Sequence, residues 1–310
     1  MNVTVHHRSL HLEKAEVVPR TDRCPICLSD VPRQPVHLIQ ESPTIQLLRC
    51  ENCQGCSASH MPIPEVLARI YRNYYGQRTG SKTTIASHSR FSQHIGSHIA
   101  ELPSDCREMR IIDFGGGDGS LALGVASRLL ARNVVHSVQI TVVDFHGVAR
   151  SDDPRIRASN CTDLDQVMEP AEIVLASAII EHIPDCNSVF RKLFDRMVEG
   201  GYFYARTPWA LPLKRLARKI DVTYPYHVHD LGGGFWNRVP RTFGLRGKVL
   251  MSGPSPVETS WSEHPMRTLA ATLLKAPARA ERILVDYAKR KDPFWNFVGG
   301  WELLFRQSAG

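Results

Sequence analysis

The sequence predicts an α/β fold: a doubly wound, mostly parallel sheet of seven strands with a small N-terminal zinc ribbon. Three observations carry that expectation. Ile111-Ile112-Asp113-Phe114 runs into Gly115-Gly116-Gly117-Asp118-Gly119-Ser120 and then the helix-patterned stretch Leu121 to Leu130, so strand, tight turn and helix follow in succession. Gln139-Ile-Thr-Val-Val-Asp144 is the next β-branched run and ends in an acid. Cys24-Pro-Ile-Cys27 and Cys50-Glu-Asn-Cys53 are two C-x-x-C knuckles separated by 22 residues.

Residues 1–20 show neither helical nor strand period and are expected to form a flexible leader. Over 21–60, Cys24, Cys27, Cys50 and Cys53 can supply four thiolates to one tetrahedral zinc; Cys56 offers a second pairing with Cys53, and His60 a substitute at one corner. Four protein ligands leave no position for water, so such a metal is structural. Eight cysteines, five of them between positions 24 and 56, argue for metal over disulfides in a reducing compartment. Residues 61–103 read as a helical linker. After Met61-Pro-Ile-Pro64, a helix places Val66, Leu67, Ile70, Tyr71 and Tyr74 on one face and stops at Gly76; a polar loop spans Gly80 to Ser89; a second helix runs from Phe91 to Leu102. His94 and His98 stand at i, i+4 without a third ligand and read as solvated or capping groups.

The main domain is expected over 104–310. Beyond Asp144 come a polar loop, a segment Ile156 to Asp165, and a buried strand Glu172 to Ile180 that Glu181-His182-Ile183 ends. A helix from Asn187 to Val198 turns Val189, Phe190, Leu193 and Met197 inward and stops at Gly200-Gly201; a fifth strand follows from Tyr202 to Pro208. A sixth strand is expected around Gly247 to Met251, a basic helix from about Pro265 to Arg290, and a closing strand from Trp301 to Phe305.

The glycine loop puts free N–H groups and a helix N-terminus at the carboxyl edge of the sheet, where a nucleotide-like ligand can approach the main chain. Counted from Gly115 and Gly117, the third position of the dinucleotide fingerprint falls on Ser120, a near miss. The stretch does match acid-x-G-x-G-x-G, through Asp113, Gly115, Gly117 and Gly119. A carboxylate at Asp144 can accept hydrogen bonds from both ribose hydroxyls, and Phe145 can pack on an adenine face. The competing reading is a ligand-free glycine turn with Asp144 opening a loop.

On these residues the chain resembles the class I S-adenosylmethionine (SAM) dependent methyltransferases, whose sheet is Rossmann-like. The ribbon, the P-x-P and the helix ending Tyr71-x-x-Tyr74 resemble the ribbon-bearing members met in saccharide and natural-product pathways. The resemblance implies SAM and a structural Zn2+ as cofactors. It implies that the glycine loop cradles the methionine part of SAM, that Thr162 and Asp163 contact the adenine, and that the Tyr71 helix helps to cover the cofactor; plain helix packing is the alternative for its aromatics. Glu172 stands where the familiar pattern has Asp. His182, in the Glu-His-Ile form, either takes a proton or shapes the site. Such enzymes also carry a histidine in the segment Tyr224-Pro-Tyr-His227-Val-His229-Asp230, so His227 or His229, held by Asp230, is a second candidate base against a plain surface turn.

The implied reaction is methylation of an oxygen on a saccharide, glycolipid or secondary metabolite. Net charge of +7 is uneven: from Arg206 onward 17 Lys or Arg face 8 Asp or Glu, +9 against −2 for the rest. That third can attract RNA, anionic lipid or phosphorylated substrates, or be solvated helix surface, as 214–219 and 288–291 look to be. An rRNA or tRNA base methyltransferase is the alternative enzyme, opposed by Ser177-Ala-Ile-Ile standing where an Asn-Pro-Pro-Tyr or Asp-Pro-Pro-Tyr motif belongs. A non-catalytic ribbon protein with a vestigial SAM pocket is the alternative of another class. A nicotinamide oxidoreductase is disfavoured by Ser120 and Asp113. With no run of about 18 apolar residues and no apolar core in the first residues, cytoplasmic residence without a membrane span is expected.

Overall fold

The chain between the two cysteine knuckles and just past the second forms an antiparallel sheet of β1 (Arg33–Gln40), β2 (Ile45–Cys50) and β3 (Cys56–Ala58). The computed structural model describes residues 10–76, 88–99, 108–145, 147–216, 220–259, 261, 264–284 and 293–308. A fourth strand joins this small sheet from far along the chain: β9 (His229–Asp230) pairs Ser57 with His229 and Cys56 with Asp230.

The expected leader is packed over its described part. Leu12 and Val17 are buried against Val66, Ile70, Tyr224 and Val228; Leu10 N donates to Tyr224 O at 2.8 Å, and Val17 bridges Pro62. Two apolar side chains flanking a short 3-10 turn (Lys14–Glu16) fill a groove that sequence period could not reveal; residues 1–9 lie outside the described residues. The expected linker also divides. α1 (Pro64–Gly76) packs Val66 and Ile70 on the leader, whereas α2 (His88–His98) packs Phe91 and Ile95 on α3 (Ser120–Ala131). Residues 77–87, which take in most of the expected Gly80–Ser89 loop, and the side chain of Tyr74 lie outside the described residues, and α2 begins at His88, before the expected Phe91.

The main sheet is built from β4 (Glu108–Phe114), β5 (Ser137–Val143), β6 (Ile156–Cys161), β7 (Ala171–Ser177), β8 (Met197–Trp209), β10 (Gly247–Pro254) and β11 (Gly299–Gln307). Their order is β10-β11-β8-β7-β4-β5-β6, with β11 antiparallel to both neighbours and β4 to β8 parallel in adjacent pairs. The order reverses at β4, where an open α/β sheet leaves a crevice at its carboxyl edge. α4 (Cys186–Asp195) and α8 (Pro265–Leu284) complete the larger helices, with short α5 (Leu211–Leu216), α6 (Gly233–Trp236) and α7 (Val239–Thr242).

Two boundaries differ from expectation. β8 begins at Met197 and passes through Gly200-Gly201, because Gly200 at φ 75° lets the strand bulge opposite Ala171 and Ile173. β7 ends at Ser177, where Ala178 takes φ 56° and Ile180–His182 forms a 3-10 turn. α8 is seen to Leu284; residues 285–292 lie outside the described residues.

One face of the sheet packs Phe190, Phe194, Phe203, Trp236 and Trp301; the other packs α3 through Leu121, Val125 and Leu129. Cys24, Ile26, Cys50 and Cys53 belong to the first of these cores. Ile26 is fully buried, and Asn187 Nδ2 on α4 donates to its carbonyl at 2.6 Å. A ribbon of some forty residues has too little interior to bury such a side chain alone, so the knuckle uses the core of the large domain. Ile26→Ala is expected to remove about 2–5 kcal/mol from one common unfolding transition; a separate ribbon transition in calorimetry would show that the two parts fold independently.

Candidate functional site

β4 delivers the chain to the loop 115–119, whose alternate glycines take left-handed conformations: Gly115 at φ 67°, Gly117 at 60° and Gly119 at 76°. A Cβ at Gly115 would stand 2.4 Å from Ile179, and one at Gly116 would meet the Asp113 carboxyl at the same distance. The loop is thus pressed against both β4 and the turn after β7, with α3 beginning at Ser120. Asp113 lies beneath it, almost fully buried, and burial with Asp144 and Asp118 nearby pushes its carboxyl up to about 7. Neither of its oxygens has a hydrogen-bond partner of normal geometry.

At the end of β5, Asp144 Oδ2 accepts from Gly117 N at 2.9 Å, tying the acid to the loop. Phe145 beside it is 87% exposed. Asp144 N donates to Cys161 O at 2.9 Å, which brings the end of β6 alongside. There Thr162 N donates to Gln166 Oε1 at 3.2 Å, and Asp163 caps a 3-10 turn by accepting from Asp165 N at 2.9 Å. Asp113, Gly115, Gly117, Gly119, Asp144, Phe145, Thr162 and Asp163 therefore follow one another along the carboxyl edge, across the crevice where the strand order reverses.

Next to this crevice, the turn after β7 raises Glu181 and His182. His182 Nδ1 donates to Tyr226 O at 2.7 Å, which leaves Nε2 as the acceptor nitrogen, 3.8 Å from Glu181 Oε1. The His227 ring stands edge-on to His182 at 4.7 Å, with Nδ1 at 2.7 Å from Thr223 Oγ1, and the Tyr71 ring lies 6.1 Å from His182. Glu181, His182 and His227 each present a donor atom within 4.8 Å of the others. Burial holds His182 down to about 4 and pushes Glu181 up to about 8, so near neutrality the imidazole is uncharged and the carboxyl largely protonated. Glu181 is 1% exposed and both its oxygens lack a hydrogen-bond partner. Sequence reasoning passed over Glu181 and Arg206. Arg206 is buried on β8 over the Phe91 ring, with Nε on Ser177 Oγ at 2.9 Å and Nη1 on Glu258. The adjacency of Glu181 to His182 was the available signal; none marked Arg206.

His229 stands apart from this group. It is buried, with Nδ1 at 3.0 Å from Ser57 Oγ and Nε2 at 2.8 Å from Ile183 O, so both ring nitrogens are engaged in the seam between β3 and the turn after β7. Asp230 holds neither histidine; its carboxylate accepts from Ala210 N and Leu211 N at 2.7 and 3.2 Å. His94 also departs from expectation, pairing through Nε2 with the buried Glu302 at 2.9 Å, while His98 Nδ1 lies 2.9 Å from His94 O.

The four knuckle cysteines converge, with Sγ atoms 3.8 Å apart for Cys24 and Cys53 and 3.7 Å for Cys27 and Cys50. A zinc with bonds of about 2.3 Å to four sulfurs requires edges of about 3.8 Å, so the donor set fits that metal. Cys56 and His60 lie outside the group; His60 Nδ1 instead pairs with Ser59 Oγ at 2.9 Å.

Several solved structures superpose on this chain in part. The cyclase SpnF is 16% identical, covers 76% of this chain and 86% of its own, and superposes with a TM-score of 0.45. The plantazolicin methyltransferase BpumL, solved with a desmethyl-plantazolicin analogue and S-adenosylhomocysteine (SAH), is 10% identical, covering 79% and 92% with a TM-score of 0.44. The N-methyltransferase NodS from Bradyrhizobium japonicum WM9, also with SAH, is 8% identical, covering 71% and 86% with a TM-score of 0.39. At such identities and TM-scores the likeness assigns no function to this chain. No match is found among curated proteins. A family model described as a methyltransferase domain matches residues 87–243, just over half of the chain and the part holding the glycine loop, Asp144 and His182; the chain belongs to that methyltransferase family.

Proposed function

We propose that the protein is a class I SAM-dependent methyltransferase that methylates an oxygen of a saccharide, glycolipid or secondary metabolite, with a structural zinc at Cys24, Cys27, Cys50 and Cys53. The observation that carries this reading is the meeting, at one carboxyl edge, of the Asp144-anchored glycine loop with the Glu181, His182 and His227 group. Gly115, Gly117 and Gly119 leave the main chain open to the cofactor, Asp144 holds the ribose, and Phe145, Thr162 and Asp163 border the adenine. Asp113 supports the loop from below. Bound there, SAM supplies an already activated sulfonium methyl, so the protein has to align the acceptor and remove its proton.

His182 Nε2 is the proton acceptor in this proposal. Its Nδ1–H is held by Tyr226 O, and desolvation keeps the ring neutral at physiological pH. His227 shares the position through its ring contact, and Glu181 offers the acceptor a hydrogen-bonding carboxyl. His229 has a structural part, joining the ribbon to the turn that carries His182. The zinc, with all four positions filled by protein, shapes the ribbon and takes no part in the chemistry.

Calorimetric titration with SAH tests the cofactor. Wild-type protein is expected to bind it and NADH to fail; Asp144→Ala should weaken SAH binding about tenfold to hundredfold with an unchanged melting temperature, and unchanged affinity would remove Asp144 from the site. Metal analysis of the purified protein is expected to give one zinc per chain, lost in Cys27→Ser and Cys53→Ser; full occupancy in both variants would refute the four-thiolate site. With an acceptor in hand, His182→Ala should lower kcat by about 10²-fold or more. Because the folded-state pKa of His182 is depressed to about 4, the base stays competent above that value and is lost only as pH falls through it. An acid limb of kcat/KM near the ordinary histidine value of about 6.5, surviving in His182→Ala, would assign the proton to another group.

A further inference from the structure

α8 is an amphipathic helix with its polar side turned inward. Among the described residues, seven of the fourteen exposed large apolar side chains lie between Trp261 and Phe294, five of them on α8: Met266, Leu269, Leu273, Ile283 and Leu284. The face laid on the protein is Thr268, Lys275 and Ala278. Thr268 Oγ1 pairs with Thr259 Oγ1 at 2.8 Å, and Lys275 Nζ donates to Ser255 O, Ser255 Oγ and Pro256 O at 2.7, 3.2 and 3.3 Å. At about 100° per residue, Met266, Leu269, Leu273, Ala280 and Leu284 fall together on the opposite side. A surface helix of a soluble domain presents the reverse arrangement.

Among the described side chains of α8, the exposed charges beside this stripe are basic. Arg267 and Arg279 are exposed, and the helix's one acid among its described side chains, Glu281, accepts from Phe294 N and Trp295 N at 2.8 and 3.0 Å. The chain from Arg206 onward carries +9. A second copy packed stripe to stripe would bury the leucines but leave Arg267 and Arg279, which flank the stripe on opposite sides, facing water. Nucleic acid would meet the arginines but leave the apolar stripe in water. An anionic bilayer satisfies both, acyl chains taking the stripe and lipid phosphates the arginines.

We propose that α8 docks the protein on an anionic membrane surface, lying in the interface with Met266, Leu269, Leu273 and Leu284 inserted. No helix among the described residues is long and apolar enough to cross a membrane, so the attachment is peripheral. Ser255 and Pro256, which α8 grips through Lys275, follow the carboxyl end of β10, on the same edge of the sheet as Ser177 and Glu181. Docking through α8 therefore turns the acceptor side of the site toward the bilayer and selects a lipid-linked acceptor; that consequence rests on the methyltransferase reading, whereas the docking does not.

The test is co-sedimentation of the full chain with vesicles of phosphatidylcholine alone or with about 30% phosphatidylglycerol, at about 0.05 M and 0.5 M salt, beside light-scattering mass measurement and SAH titration. Binding to the anionic vesicles, about tenfold or more above neutral ones and weakened by salt, is expected. Leu269→Glu with Leu273→Glu should abolish it, and Arg267→Glu with Arg279→Glu should remove the preference for anionic lipid, both with unchanged melting temperature and SAH affinity. The proposal fails if the wild-type chain ignores anionic vesicles, if the leucine variant still binds them, or if wild-type chain is a dimer that the leucine substitutions dissociate. Absence of SAH binding with vesicle binding intact would instead strike the cofactor reading and leave the docking standing.

Discussion

The pairing of β3 with β9 is the contact on which the remainder of the arrangement depends. It spans only Cys56–Asp230 and Ser57–His229, yet three parts of the chain meet there. His229 fills its two nitrogens from the ribbon on one side and from Ile183 on the other, so the knuckles are tied to the turn that carries His182. Val228 N, one residue earlier, donates to Glu181 O, and Tyr224 receives the leader through Leu10 N. A buried imidazole with both nitrogens satisfied costs little in desolvation and joins its neighbours rigidly. The ribbon is thus placed against the candidate acceptor site by backbone pairing, and the sharing of Ile26 with the large core holds it there.

Desolvation sets the chemistry of that site more than any ion pair does. Glu181, His182 and Asp113 are all displaced toward their uncharged forms, and burial is the leading cause in each case. Near neutrality the imidazole is therefore uncharged beside a largely protonated carboxyl, and neither group is a strongly hydrated ion. Arg206 is the exception; it stays charged because Glu258 neutralises it and Ser177 takes a hydrogen bond, and it stands at the end of the strand next to β7.

α8 shows how an insertion can be added to a sheet without enlarging its core. Its inner side satisfies carbonyls and a hydroxyl at the end of β10 and contributes little apolar burial; the apolar residues are left on the outside. Such a helix is held by a few directed bonds, those of Lys275, Thr268 and Glu281 among them, and its outer face is available to something other than the rest of the chain.

The sequence alone determined the main sheet, the glycine loop with Asp113 and Asp144, the paired knuckles and His182, because each rests on local period or close spacing: β-branched runs, alternate glycines, two C-x-x-C pairs, an acid at a strand end. It also placed the closing strands that the structure shows as β10 and β11. Only the tertiary structure decided which histidines come together. His227 and His229 are two residues apart, a spacing that would set both on one side of a regular strand; the turn over 224–226 and the bend at Val228 instead send one ring to His182 and the other into the β3 seam. Burial of Leu12 and Val17, division of the linker between two layers, the engagement of Asp230 by Ala210 and Leu211, and the outward turn of the α8 leucines likewise depend on what lies opposite, and no stretch of sequence records its own neighbour across the fold.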